Sequence, residues 1–152
     1  MLQSHKPVPD CTIFLLAKAY QRAHGLFKEH LKPYGLTNLQ HLVLEGLWYE
    51  DGQTAAELGK LLVMDKATLS GVLDRLNDAG WIEKRPDPDD RRVMRLFPSR
   101  RANDRKEELI RVRREANEAL LNRFSLEEQV LLKRFLWDLM EHPLEQSHLQ
   151  DE

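Results

Sequence analysis

Cysteine is nearly absent from this chain of 152 residues. Cys11 stands alone, which excludes an intrachain disulfide framework and a zinc cluster built on cysteines. Long apolar runs are also missing. The longest, Ile13 to Ala17, falls far short of the ~20 residues that cross a bilayer, so no membrane partner is expected. The opening MLQSHKPVPD holds no apolar signal core, and the chain is expected to be cytoplasmic. There is no glycine-rich phosphate loop, nucleophile elbow or carboxylate–histidine constellation, so the expectation is a non-enzyme without a cofactor. His24, His30 and His41 lack the close helical spacing of a zinc site, and no metal is expected.

Aromatic residues are sparse at 7%, and leucine dominates the apolar set, which leans the chain toward helix. Excess positive charge is lacking as well. The formal net charge is −2, which at face value argues against nucleic acid. The charges are uneven, however. Arg100 to Arg114 contains Arg100, Arg101, Arg105, Lys106, Arg111, Arg113 and Arg114 against Asp104, Glu107 and Glu108, whereas Glu141 to Glu152 is acidic with no lysine or arginine. Phosphate binding responds to local potential, so an acidic end can mask a basic face in the sum.

Helix signals divide the chain. A first helix is expected from about Thr12 to Leu31, ending ahead of Pro33, with Ile13, Leu16, Ala17, Tyr20, Phe27 and Leu31 as its stripe. Thr37 with Gln40, Thr54 with Glu57 and Ser125 with Glu128 each form the spacing of a capping box, in which hydroxyl and N3 side chain satisfy backbone N–H groups reciprocally. These open helices over about 37–49, 55–62 and 126–140. Asp65 is the expected N-cap and Gly80 the expected left-handed end of another helix, with Leu69, Val72, Leu73 and Leu76 on its apolar stripe. Trp81–Arg85 and Val93–Phe97 are expected strands around a turn of Pro86, Asp87, Pro88, Asp89 and Asp90. A long helix is expected from about Arg100 to Asn122, with Leu109, Val112, Ala116 and Leu120 on one stripe.

The fold class expected is mainly α with a small β-hairpin wing. A winged helix-turn-helix over about 37–98 is flanked by helices over about 12–31 and 100–141, with a disordered tail at 143–152, all within a single domain over 1–152. The outer helices carry more apolar surface than one winged unit can cover, and a symmetric homodimer resolves that.

Base readout in a major groove needs short side chains near a helix start and donors of defined reach. Lys66, Thr68, Ser70 and Gly71 supply such a face, and Arg75 lies one turn on. Gly71 weakens a helix by about 1 kcal/mol relative to alanine, so either close approach to DNA or tight helix packing is expected there. The hairpin tip carries Asp89, Asp90, Arg91 and Arg92; arginine suits phosphate and minor-groove contact, and Asp90 is the expected carboxylate holding a guanidinium in place.

These residues carry a resemblance. GLTNLQHLVL, AAELGKLLVMDKATLSGVLDRLNDAGWIEKR and PDPDDRRV, within Tyr34 to Phe97, resemble the MarR family of winged helix-turn-helix regulators. The resemblance implies an obligate homodimer on double-stranded DNA with a pseudo-palindromic operator, usually a repressor released by a small ligand. It places recognition contacts on Lys66, Thr68, Ser70 and Arg75, and a wing pair on Asp90 and Arg92 with Arg91 beside them. The sequence departs from the family's pattern at Gly71, where a larger polar or basic side chain is frequent, and at Ser99 to Ala102, where SRRA replaces a Thr-x-x-Gly opening. A branch of the family senses peroxide through a cysteine, but that position falls on Ile13 here and its tyrosine partners on Phe27 and Asn38, which leaves Cys11 incidental. The family's effector cleft would be lined by Tyr20, His24, Phe27, His41, Leu44 and Trp48, a wall suited to a small-molecule effector such as an aromatic carboxylate or its thioester. The alternative function, from a different class, is a winged-helix protein-interaction module without specific DNA readout.

Overall fold

The computed structural model describes residues 11–141. The expected tail at 143–152 lies outside them. The chain divides into two compact units, one running to Ala116 and the other beginning at Asn117. Helix α1 spans Thr12–Leu31 and passes through a 3₁₀ turn, Lys32–Tyr34, that Gly35 closes at φ +66°. Helices α2 (Asn38–Tyr49), α3 (Ala55–Leu62) and α4 (Lys66–Asp78) follow, then the antiparallel hairpin β1 (Ile82–Pro86) and β2 (Met94–Pro98), and helices α5 (Arg100–Asp104), α6 (Lys106–Leu121) and α7 (Leu126–Glu141).

Local chemistry explains most of these boundaries. At α2, Thr37 Oγ1 accepts from Gln40 N–H at 3.2 Å while Gln40 Oε1 accepts from Thr37 N–H at 2.8 Å. Thr54 with Glu57 and Ser125 with Glu128 repeat the pattern at α3 and α7. Gly80, at φ +72°, ends α4 in the left-handed region. The strands begin and end one residue later than their apolar pattern suggests, because Pro86 and Pro98 join the ladder at its two ends, opposite Met94 and Ile82.

Packing joins the elements of the first unit. Leu31, Leu44, Leu47, Leu58, Leu69, Leu76 and Leu109 are fully buried, with Trp81 and Leu96 tying the hairpin to the same core. A Cβ on Gly46 would fall 2.8 Å from Leu58 Cδ1, so the glycine lets α2 and α3 approach closely. Between α3 and α4 the chain turns at Val63, whose φ of +52° is unusual for a β-branched residue. That conformation lets Met64 N–H reach Gly59 O at 2.9 Å and close the turn.

The expected long helix from Arg100 to Asn122 is interrupted at Arg105 (φ −103°, ψ 0°). The backbone there tightens, with Arg105 N–H bonded to Ala102 O. Tertiary pairing accompanies the break: Arg105 Nη1 donates to Glu108 Oε2 at 2.8 Å, and Tyr34 OH donates to Glu108 Oε1 at 2.8 Å. Along α6, Leu109, Val112 and Ala116 are buried as their spacing suggests, but Leu121 rather than Leu120 continues the buried set.

Candidate nucleic-acid interface

Helix α4 begins with a tightly held N-cap. Asp65 Oδ1 accepts from Thr68 N–H at 2.8 Å, and Asp65 Oδ2 accepts from the Thr68 hydroxyl at 2.6 Å. Hydrogen bonds from the Thr68 hydroxyl and backbone hold the Asp65 carboxyl below its ordinary pKa. The hydroxyl hydrogen of Thr68 is therefore committed to the cap, leaving its methyl and its remaining acceptor capacity for an outside partner. Ser70, exposed and without a hydrogen bond among the described residues, is a free donor on the same helix. The buried stripe Leu69, Val72, Leu73 and Leu76 fixes which way α4 faces.

Gly71 has a clear setting. A Cβ built there meets nothing within 4 Å except the Arg75 guanidinium, at 3.6 and 3.8 Å from its two terminal nitrogens. Of the two explanations its helix cost invites, tight helix packing is therefore excluded. Outside α4 no described atom comes near.

The hairpin is anchored where its turn begins and free at the turn's tip. Asp87, largely buried, pairs through Oδ2 with Arg95 Nε, while its Oδ1 accepts from Asp89 N–H at 2.8 Å and Asp90 N–H at 3.1 Å. Arg95 also donates through Nη1 to Gly52 O at 2.8 Å, which ties the wing to the α2–α3 connection. The hydrogen bond from Arg95 is the main cause holding the Asp87 carboxyl below its ordinary value, followed by the two backbone donors. Asp90 behaves differently from expectation. Its Oδ1 accepts from the backbone N–H of Arg92 at 3.0 Å and shapes the turn, and it holds no guanidinium. The sequence reading missed the Asp87–Arg95 latch; its signal was the Asx-type spacing of PDPDD, where an aspartate can cap the next N–H groups.

The cations differ in how their charge is met. Lys84 meets Asp74 at 2.7 Å, Arg85 meets Glu83 at 2.6 Å, Arg105 meets Glu108 at 2.8 Å and Arg113 meets Glu45 at 2.5 Å. Arg101 lies 4.2 Å from the Trp81 ring centroid and donates to Ala79 O. By contrast, the side chains of Lys66, Arg75, Arg91 and Arg92 have no carboxylate partner among the described residues. All four are exposed, on α4 or at the hairpin tip. A cleft of about 880 Å³ opens between α3, α4 and the hairpin, with Val63, Met64 and Met94 on its walls and Lys66, Ser70 and Lys84 on its lining.

The residues proposed for an effector are placed less uniformly. The Tyr20 and His24 rings lie tilted to one another at 5.4 Å between centroids, and Phe27 meets His41 edge-on at 5.0 Å. His41 and Leu44 are fully buried core residues, and Trp48 Nε1 donates to Asn103 Oδ1 at 3.2 Å. None of the six lines the cleft beside α4. Cys11 is exposed. Among the described residues no helix is long and apolar enough to cross a membrane.

Comparison with known proteins gives this arrangement a context. The MarR family model matches residues 36–94, which run from the start of α2 into β2. The transcriptional repressor NicR of Pseudomonas putida is 37% identical over 78 residues, 51% of this chain and 49% of that one. The chain thus spans about half the length of the first curated relatives it matches. A crystal structure of a probable transcriptional regulator from Pseudomonas aeruginosa is 35% identical, with a TM-score of 0.81 over 86% of this chain and 97% of that chain. A mutant of E. coli MarR complexed with operator DNA is 26% identical, with a TM-score of 0.77 over 84% and 91% of the two chains. The winged unit built on α2, α3, α4 and the hairpin, matched by the family model and by full-length relatives, makes this chain a member of the MarR family.

Proposed function

We propose that this chain is a sequence-specific DNA-binding transcriptional regulator that acts as a homodimer on a pseudo-palindromic operator, as a repressor released by a small ligand. Four cations without carboxylate partners, Lys66, Arg75, Arg91 and Arg92, carry the proposal. A guanidinium already neutralised by a neighbour gains little from a phosphate, whereas an unpaired one releases condensed counterions when it meets DNA. With α4 in the major groove, Ser70 and Arg75 address base edges, Thr68 offers its methyl, and Arg91 and Arg92 reach the flanking backbone or minor groove.

Dimerisation is supported by apolar faces that each unit leaves uncovered. On α1 these are Ile13, Leu15 and Leu16; on α7 they include Val130, Phe135, Leu136 and Trp137. Such surfaces mark interaction sites on soluble proteins. For the effector we propose a small aromatic carboxylate or its thioester bound beside Tyr20, His24 and Phe27, with His41 and Leu44 forming the floor behind them. The similarity to NicR, a transcriptional repressor, supports the sign of regulation.

Footprinting with the purified chain tests the reading. A two-fold symmetric footprint is expected, with half-site centres about 34 Å apart or a multiple of it. An asymmetric footprint, or binding that is indifferent to sequence and salt, would reject it.

A further inference from the structure

Gly71 is the residue of α4 that neither backbone geometry nor packing explains. Its φ is not in the left-handed region, and a Cβ would meet no atom of α1, α2, α3, the hairpin or α6 within 4 Å. A glycine in the interior of a 13-residue helix is unfavourable, and alanine would fit without a clash. What does lie over it is the guanidinium of Arg75, one turn further along. Side chains at i and i+4 share a face, and long side chains lean back toward the helix N-terminus. The two terminal nitrogens of Arg75 are 3.6 and 3.8 Å from the point a Cβ would occupy. No carboxylate competes for that guanidinium, since the neighbouring Asp74 is taken by Lys84 at 2.7 Å.

We infer that Gly71 is a specificity-determining residue that acts through Arg75. Its missing side chain leaves a berth along the outer face of α4 where the guanidinium lies back over Gly71 instead of projecting away. This rests on the proposed DNA-reading function and adds a mechanism to it. A planar fork held low against the helix presents its paired N–H groups edge-on to the groove floor, the geometry that reads guanine O6 and N7. A residue with atoms beyond Cβ at this position occupies the berth and turns Arg75 outward, toward the backbone. Base readout is then exchanged for phosphate contact.

Selection of bound DNA from a random pool, run with the full chain and four variants, tests this. Gly71→Ala keeps the berth, because its contact with the guanidinium is of ordinary van der Waals length. It is expected to raise the melting temperature by about 2–4 °C, as a better helix former that meets no clash. Gly71→Gln, also a better helix former than glycine, is expected to be at least as stable as the parent. It should nevertheless lose roughly tenfold or more of the preference at one base pair in each half-site, the pair whose preference Arg75→Ala also removes. In the double variant Gly71→Gln, Arg75→Ala, the losses should not add, because both changes act on one contact.

Additive losses would show that the glutamine disturbs DNA by itself, and would overturn the inference. So would an affinity loss by Gly71→Gln spread evenly over all sequences, or an unchanged preference. A parent chain that enriches no sequence at all would instead overturn the DNA-reading function beneath it, and the inference with it.

Discussion

The hairpin tip with α4 and the start of the hairpin turn with its anchor are built from the same residue types, yet they use them in opposite ways. At the start of the turn, Arg95 is spent twice, on Asp87 and on Gly52 O, and Asp87 is further engaged by two backbone donors. At the tip, only a few residues away, Arg91 and Arg92 are exposed and their guanidiniums have no carboxylate. The same contrast runs beyond the turn: Lys84 of β1 and Arg113 of α6 close ion pairs with Asp74 and Glu45, while Lys66 and Arg75 of α4 have no carboxylate partner among the described residues. Around the wing, Arg95 is answered within the chain and holds the hairpin, while Lys66, Arg75, Arg91 and Arg92 are the cations that the proposed DNA contact would use. Net charge conceals this distinction because it counts both sets alike.

Exchanging the two sets experimentally should separate their roles. Arg92→Ala is expected to have the largest effect, about a tenfold loss of DNA affinity that is similar across sequences, with the salt slope shallower by about one and the melting temperature unchanged. Equal affinity with an unaltered slope would remove Arg92 from the contacts. Arg95→Ala should reverse the pattern, lowering the melting temperature first because it leaves the largely buried Asp87 without its counter-ion and Gly52 O without a donor. Its effect on DNA should be indirect, through a loosened wing, and the salt slope should stay near that of the parent. A thermal scan and a salt titration on both variants settle the comparison. If Arg95→Ala flattened the slope and spared stability, the division into paired and unpaired cations would break down.

Much of this architecture is legible in the sequence, for local reasons. Capping boxes, Gly80 and the Asp65 cap act within three or four residues, so α2, α3, α4 and α7 could be bounded from the chain alone. What could not be read depends on partners far apart in sequence. The interruption at Arg105 accompanies a bond from Tyr34 to Glu108, 74 positions away, and no proline or glycine announces it. Which arginines are free also depends on tertiary pairing. Asp90 suggests itself as the carboxylate for a wing arginine, but the backbone N–H of Arg92 claims it, and Asp87 reaches Arg95 because the hairpin folds them side by side. Gly71 was legible as an anomaly, and its neighbour Arg75 became visible only in three dimensions.

The turn before α4 sharpens the comparison from another side, since it bears on backbone strain without any charge. Val63 is 82% exposed at φ +52°, so its side chain contributes little burial to offset a left-handed conformation that disfavours β-branched residues by about 1–2 kcal/mol. Val63→Gly should relieve that strain, less what glycine loses in chain entropy, for a net gain of about 1 kcal/mol or below and a rise of ~2–4 °C in melting temperature. A fall in melting temperature would show that the Val63 methyl groups hold the cleft wall beside Met64 and Met94.

The smallest effect expected near neutral pH concerns His41, on the paired side of the comparison. It is 1% exposed, its Nε2–H donates to Leu109 O at 3.1 Å, and it joins α2 to α6 behind Phe27. Burial pushes its pKa below the ordinary value of 6.5, against the opposing pull of the Leu109 carbonyl and of Glu45 at 3.8 Å, whose own charge is shared with Arg113. The native state therefore keeps His41 neutral where the unfolded chain would already be protonated. Stability is fully present above the unfolded pKa and is lost progressively as pH falls from there toward the folded value. Between pH 7 and pH 6 the loss from this group is at most about 1 kcal/mol. An NMR titration should find the His41 ring titrating below the ordinary value of 6.5, and the pH dependence of the melting temperature should flatten in His41→Gln, whose amide can still donate to Leu109 O. A ring that titrates at or above the ordinary value would mean that Glu45 outweighs burial, and would move His41 from the neutral core into the charged network that Glu45 and Arg113 form.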